Sequence, residues 1–129
     1  MKQRLGKIIT PHGLRPEPHE LETADIFTAL GYNVEFLAPS RTKGSRTPDV
    51  NIGGVLWEMK SPTGNGRRVV QDQLRRAIKQ SKNIIFDARR TRLDDKKIQI
   101  ELEKHIKTFR SIKRLTLILK NNKIIYIKQ

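Results

Sequence analysis

The sequence predicts an α/β sandwich: a mixed central β-sheet flanked by helices and closed by a C-terminal β-hairpin. Three observations carry this. Short β-branched runs alternate with helical stretches along 129 residues, a length suited to one core. Two pairs of runs are separated by two-residue turns of the hairpin kind, Gly53-Gly54 and Asn121-Asn122. Ile84-Ile85-Phe86 is apolar at successive positions, the mark of a strand covered on both faces.

Taken in order, residues 1–17 carry Lys2, Arg4, Lys7 and Arg15 without apolar periodicity and read as a basic arm or linker, leaving residues 18–129 as the single domain. His12 in this arm reads as a solvated loop residue. From Pro18 to Leu30 the pattern is helical: Pro18 suits a first turn, and Glu20 and Glu22 suit the positive end of the helix dipole. Glu20 shares a face with Ala24 and Phe27, beside the apolar stripe, where a carboxylate needs a partner. Asn33 to Leu37 is the first expected strand, followed by a cationic loop with Arg41, Lys43 and Arg46. Val50–Ile52 and Val55–Met59 form the first hairpin, and 61–66 is a loop by composition. Val69 or Val70, Leu74, Ala77, Ile78 and Ser81 recur at helical spacing to about Lys82, with Gln80 near the core-facing side beside Gln73 and Ala77. Asn83–Ala88 is the central strand and Arg89–Arg92 a basic turn. Asp94 or Asp95 caps a last helix with Ile98, Leu102, Ile106 and Phe109 on one stripe and His105 at its edge. Leu115–Lys120 and Lys123–Lys128 close the chain as a hairpin.

Composition narrows the function. Lysines and arginines number 27 against 13 acids, a formal charge of +14 that favours polyanionic partners, phosphate backbones above all. The chain has no cysteine, which excludes disulfides, thiolate metal sites and a thiol nucleophile and is compatible with a reducing compartment. The apolar run from Leu5 to Ile9 is too short and interrupted to be a signal peptide or membrane span. Between Arg67 and Arg92 nine basic residues face two aspartates, so the outer face of the second helix, with Arg67, Arg68, Arg75 and Lys79, is a candidate track for substrate phosphates.

One stretch has charges at a spacing suited to chemistry. Asp49 opens the first strand of the Gly53-Gly54 hairpin and Glu58 lies near the end of its partner. Glu58 and Lys60 share a face while Val55, Trp57 and Met59 turn to the core. Asp49 then falls beside Glu58 or Lys60. Two hard carboxylates at that separation suit Mg²⁺, which takes one or two carboxylates, keeps waters and leaves a phosphate to complete its shell. Lys60 is placed to orient water or stabilise an anionic transition state. The same residues also read as a turn cap at Asp49 and an exposed cross-strand Glu58–Lys60 ion pair, and spacing alone leaves both readings open.

The pattern Pro48-Asp49, Glu58-x-Lys60 resembles the PD-(D/E)xK nuclease superfamily. The wider set His19-Glu20-x-x-Thr23-Ala24, Gly31-Tyr32-x-Val34, Thr47-Pro48-Asp49, Trp57-Glu58-x-Lys60-Ser61-Pro62 and Gln80-Ser81-x-Asn83 is similar to the C-terminal tRNA-nuclease toxin domain of contact-dependent growth-inhibition proteins, over roughly residues 17 to 125. The resemblance implies a restriction-endonuclease-like core and a metal-dependent endonuclease acting on RNA, specifically tRNA. Asp49 and Glu58 would bind the metal, Lys60 would assist the attacking water, and Glu20 would complete the acidic cluster. His19, Arg46, Ser61, Arg67, Arg68, Arg75, Lys79 and Gln80 are the candidate substrate-binding residues. A toxin of this kind implies an acidic immunity protein as second partner, and the cytoplasm of producer or target cell as its place of action. Two other readings stand beside it: a DNA endonuclease on the same fold, and a basic nucleic-acid-binding module without catalysis.

Overall fold

The computed structural model describes residues 5–39 and 47–129. Seven strands form one sheet in sequence order: β1 (Ile8–Ile9), β2 (Val34–Phe36), β3 (Val50–Ile52), β4 (Val55–Lys60), β5 (Asn83–Asp87), β6 (Arg114–Ile118) and β7 (Ile124–Lys128). β1 and β2 are parallel, β2, β3 and β4 antiparallel, β4, β5 and β6 parallel, and β6 and β7 antiparallel. Each parallel step needs a crossover. Between β4 and β5 it is α2 (Val69–Ala77), and between β5 and β6 it is α3 (Asp95–His105), while α1 (Pro18–Thr28) links β1 to β2.

Side-chain alternation divides the core in two. Val70, Leu74, Ile84, Phe86, Ile98, Leu102, Leu115 and Leu117 pack beneath α2 and α3. Ala24, Phe27, Val34, Phe36, Val50, Ile52, Met59, Ile85 and Ile118 pack beneath α1. The expected mixed sheet with helices on it and a terminal hairpin is therefore observed. Both hairpin turns carry the left-handed backbone their sequences suit: Gly53 and Gly54 have φ of 60° and 88°, and Asn122 has φ of 70°.

Several boundaries differ from the sequence expectation, among them the first strand of the last hairpin, which ends at Ile118 and not at Lys120. The stretch read as an arm contributes β1, whose two residues pair with Val34 and Glu35. Its approach depends on Gly6, where an added Cβ would fall 1.7 Å from the Tyr32 carbonyl oxygen. α1 stops at Thr28, short of Leu30. α2 stops at Ala77, short of Lys82, and the Ser81 side chain beyond it serves the sheet: its hydroxyl donates to the Leu56 carbonyl at 2.8 Å and accepts from the Asn83 N–H. Asn83 Nδ2 donates to the same carbonyl, and Asn83 Oδ1 accepts from Arg114. β4, β5 and β6 are thus clasped together at their N-terminal ends.

A buried polar group anchors α1 to β5. Thr23 donates to Asp87 Oδ2 at 2.6 Å, and Arg89 meets both oxygens of the same carboxylate from Nε and Nη2 at 2.9 and 2.8 Å. Burial pushes the Asp87 carboxyl up, but the hydrogen bonds from Arg89 and Thr23 outweigh it and hold the group below its ordinary 3.8. Its stabilising contribution is therefore present above that value and lost as pH falls through the lower folded one. Thr23→Val, which removes one donor, should cost about 1 kcal/mol. Asp87→Ala, which strands Arg89 and Thr23 together, should cost about 3 kcal/mol. Urea denaturation at pH 7 measures both, and equal losses would refute this account of the anchor.

Candidate active site

The hairpin register builds the site. Val50 pairs with Trp57, so Asp49, one residue before β3, falls opposite Glu58. The backbone N–H of Asp49 donates to the Trp57 carbonyl, and Asp49 Oδ2 accepts from the Met59 N–H at 2.8 Å, which ties the aspartate to the middle of β4. Trp57 and Met59 pack into the α1-side core. Glu58 lies opposite Ile84 of the α2-side core, so Glu58 and Lys60 share the face on which α2 lies.

Glu58 is 5% exposed. Its Oε2 is 3.3 Å from Lys60 Nζ, whereas its buried Oε1 has no hydrogen-bond partner among the described residues. Burial, reinforced by the neighbouring Asp49 charge and only partly opposed by Lys60, pushes the Glu58 carboxyl from the ordinary 4.5 up to about 8. The Ser61 Oγ, next to Lys60, is a second buried polar atom without a partner among the described residues. Lys60 and Ser61 open onto a cleft of about 420 Å³, bordered by His19 from α1, Thr63 and Gly64 from the β4 exit loop, Gln73 from α2 and Arg90. Arg90 Nη1 donates to the Ser61 carbonyl and Thr91 Oγ1 to the Gly64 carbonyl, latching the exits of β4 and β5 to each other.

Asp49, Glu58, Lys60, Ser61 and His19 are therefore brought together. Glu20 is not: its Oε1 accepts the Glu17 N–H at 2.8 Å, so the carboxylate is spent on the start of α1 and completes no acidic cluster. Arg67 and Arg68 line a separate groove between α2 and α3 with Lys97, Lys104 and the paired Glu101 and His105. Arg75 and Lys79 are exposed along α2 and just beyond it. Gln80 lies in the turn after α2, beside the Ser81–Leu56 clasp at the opposite end of β4 from Lys60. Gln73, which lies within α2, reaches the cleft instead. A parallel crossover begins where its first strand ends, so the first turn of α2 is the part near Lys60, a signal the sequence contained. Arg90, read only as part of a basic turn, is the other lining residue that spacing did not single out. Arg46 lies outside the described residues.

A family model for the contact-dependent growth inhibition CdiA C-terminal domain matches residues 46–124, a span that takes in Asp49, Glu58, Lys60 and the strands that carry them. The chain belongs to this family. A solved structure described as a CdiA-CT/CdiI toxin and immunity complex from Burkholderia pseudomallei superposes with a TM-score of 0.69 at 18% identity, covering 96% of this chain and 100% of that one. At that identity the likeness is one of fold. No curated protein gives a significant sequence match. As a CdiA C-terminal domain the chain is a toxin domain of contact-dependent growth inhibition, and no helix among its described residues is long and apolar enough to cross a membrane.

The donor set fits a divalent cation. Two carboxylates face each other across the hairpin, Glu58 Oε1 has no partner among the described residues, and the burial and neighbouring Asp49 charge that raise Glu58 are what a cation would offset. Among the described residues no three acidic or histidine groups converge, so the CdiA domain would supply two ligands, the number Mg²⁺ commonly takes. Because folding raises the Glu58 pKa, its contribution to stability is full below about 4.5 and falls away as pH rises to about 8. The melting temperature of the metal-free domain should therefore fall between pH 5 and 8, with a shallower fall in Glu58→Gln. Mg²⁺ should raise the wild-type melting temperature more at pH 8 than at pH 6. Parallel curves for wild type and variant would show that Glu58 does not titrate in this way.

Proposed function

We propose that this CdiA C-terminal domain is a metal-dependent endonuclease of the PD-(D/E)xK plan that hydrolyses phosphodiester bonds in RNA, tRNA being the substrate class. The observation that carries the reading is the Asp49–Glu58–Lys60 group: two opposed carboxylates, one with an unpartnered buried oxygen, and an ammonium between them and an open cleft. The basic charge and the Arg67, Arg68, Lys97 and Lys104 groove support a phosphate-rich substrate. RNA, as against DNA, rests on the resemblance of the wider motif set to tRNA-nuclease toxin domains.

In this mechanism Asp49 and Glu58 would hold the divalent cation, and the Met59 N–H fixes the rotamer of Asp49. A divalent cation bound there would supply Lewis-acid activation of water and neutralise charge on the scissile phosphate. Lys60, 21% exposed at its side chain and paired to Glu58, points its remaining N–H donors to the attacking water or a non-bridging phosphate oxygen. His19, Ser61, Gln73 and Arg90 border the space in which the phosphate would be held. A second partner, an acidic immunity protein, is supported by the charge of +14 and by the fold's likeness to a protein solved in a toxin and immunity complex.

Incubation of the purified domain with total bacterial tRNA and Mg²⁺ should yield discrete fragments, and EDTA should abolish them. Asp49→Asn, which keeps the shape of the residue, and Lys60→Ala should each lower kcat by about 10² to 10³ with little change in KM. Duplex DNA cut in place of tRNA would retain the chemistry and overturn the substrate. Salt-sensitive binding of both nucleic acids without cleavage of either would overturn the enzyme.

A further inference from the structure

The chain has one tryptophan, two tyrosines and four phenylalanines. The tryptophan, both tyrosines and Phe27 border one pocket of about 310 Å³ on the α1 side of the sheet, with Arg114 and Lys128 on its wall. Such clustering in so aromatic-poor a chain is more than a core requires, because Tyr32 and Tyr126 are 50% and 55% exposed. Among the described residues none of these four rings is paired with another, the one ring contact being His105 with Phe109. No Asp or Glu lines the pocket. Lys128 uses one donor on the Ile112 carbonyl and Arg114 one on Asn83, which leaves each with donors to spare.

We propose that this pocket receives an unstacked nucleobase of a single-stranded region of RNA, with Arg114 and Lys128 holding its phosphate. Aromatic faces accept any base by stacking, and adjacent cations supply the affinity for the backbone. An aliphatic or acyl ligand would leave the cations unmatched, and a duplex would have no free base to insert. The pocket is distinct from the candidate active site: Trp57 lies three residues before Lys60 on β4, about 10 Å along the strand and on the other face of the sheet. The base it holds therefore belongs to a nucleotide away from the scissile bond, and the pocket selects substrates that expose a single-stranded segment. The inference rests on the nucleic-acid reading of the domain but not on its catalysis.

Trp57, the sole tryptophan, is a built-in reporter. A pentameric oligoadenylate, titrated in EDTA to prevent cleavage, should quench its fluorescence saturably. Tyr32→Ala and Tyr126→Ala should each weaken that binding about tenfold, while Tyr126→Phe keeps it. Both tyrosines are exposed enough for the variants to fold, which circular dichroism checks. A blunt duplex of the same length should not quench. If the oligonucleotide shifts the domain in a gel at low salt but leaves Trp57 unquenched, or quenches it equally in both alanine variants, the pocket proposal fails while nucleic-acid binding stands. If it neither shifts nor quenches, both fail. A hydrophobic dye that fills the pocket and is not displaced by the oligonucleotide would show that the ligand is apolar and overturn the proposal.

Discussion

Everything at the candidate active site depends on the register of one tight hairpin. Gly53 and Gly54 both adopt left-handed backbone, which closes β3 onto β4 in two residues and leaves no slack for an alternative pairing. A slip of one residue would send Glu58 and Lys60 into the α1-side core and Trp57 and Met59 out of it. The burial of Val50, Ile52 and Met59 therefore fixes the face of the sheet on which the carboxylates stand. The Met59 N–H then fixes the aspartate within that face. Apolar burial sets the geometry and two glycines permit it.

The cost of the arrangement is carried locally. A nearly buried glutamate beside an aspartate is unfavourable, and a single lysine at 3.3 Å offsets only part of the penalty. Elsewhere the protein treats buried charge differently: Asp87 has two side-chain partners and a depressed pKa. The same sheet thus contains one buried carboxylate held ionised by its hydrogen bonds and one whose burial and acidic neighbour favour its neutral form. Both are almost fully buried, so the difference lies in their partners and not in their exposure.

Much of this was legible in the residues. Gly-Gly and Asn-Asn turns, alternating strands and a continuous apolar strand report local physics, and each is where it was expected. Less legible were features whose cause is distant. Ile8 and Ile9 make a strand only because β2 is there to pair with, and Gly6 fits there only because the Tyr32 carbonyl approaches so closely. The resemblance put Glu20 in the acidic cluster, but a capping interaction three residues away claims its carboxylate. Gln73 lies within α2 and Gln80 in the turn after it, and what separates them is where the crossover starts. The aromatic pocket is the extreme case: residues from α1, the hairpin and the last two strands meet there, far apart in sequence.

The clasp at Leu56, Asn83 and Arg114 lies at the opposite ends of β4, β5 and β6 from Lys60. It means that strand alignment is locked at one end of the sheet while the candidate site lies at the other, where the loops are held by two side chain to carbonyl latches from Arg90 and Thr91. Such a division makes the scaffold modular. The exit loops can lengthen, shorten or change composition without disturbing how the strands pair, so one architecture can be handed from specificity to specificity. A domain sharing this fold at 18% identity is what such freedom would leave behind.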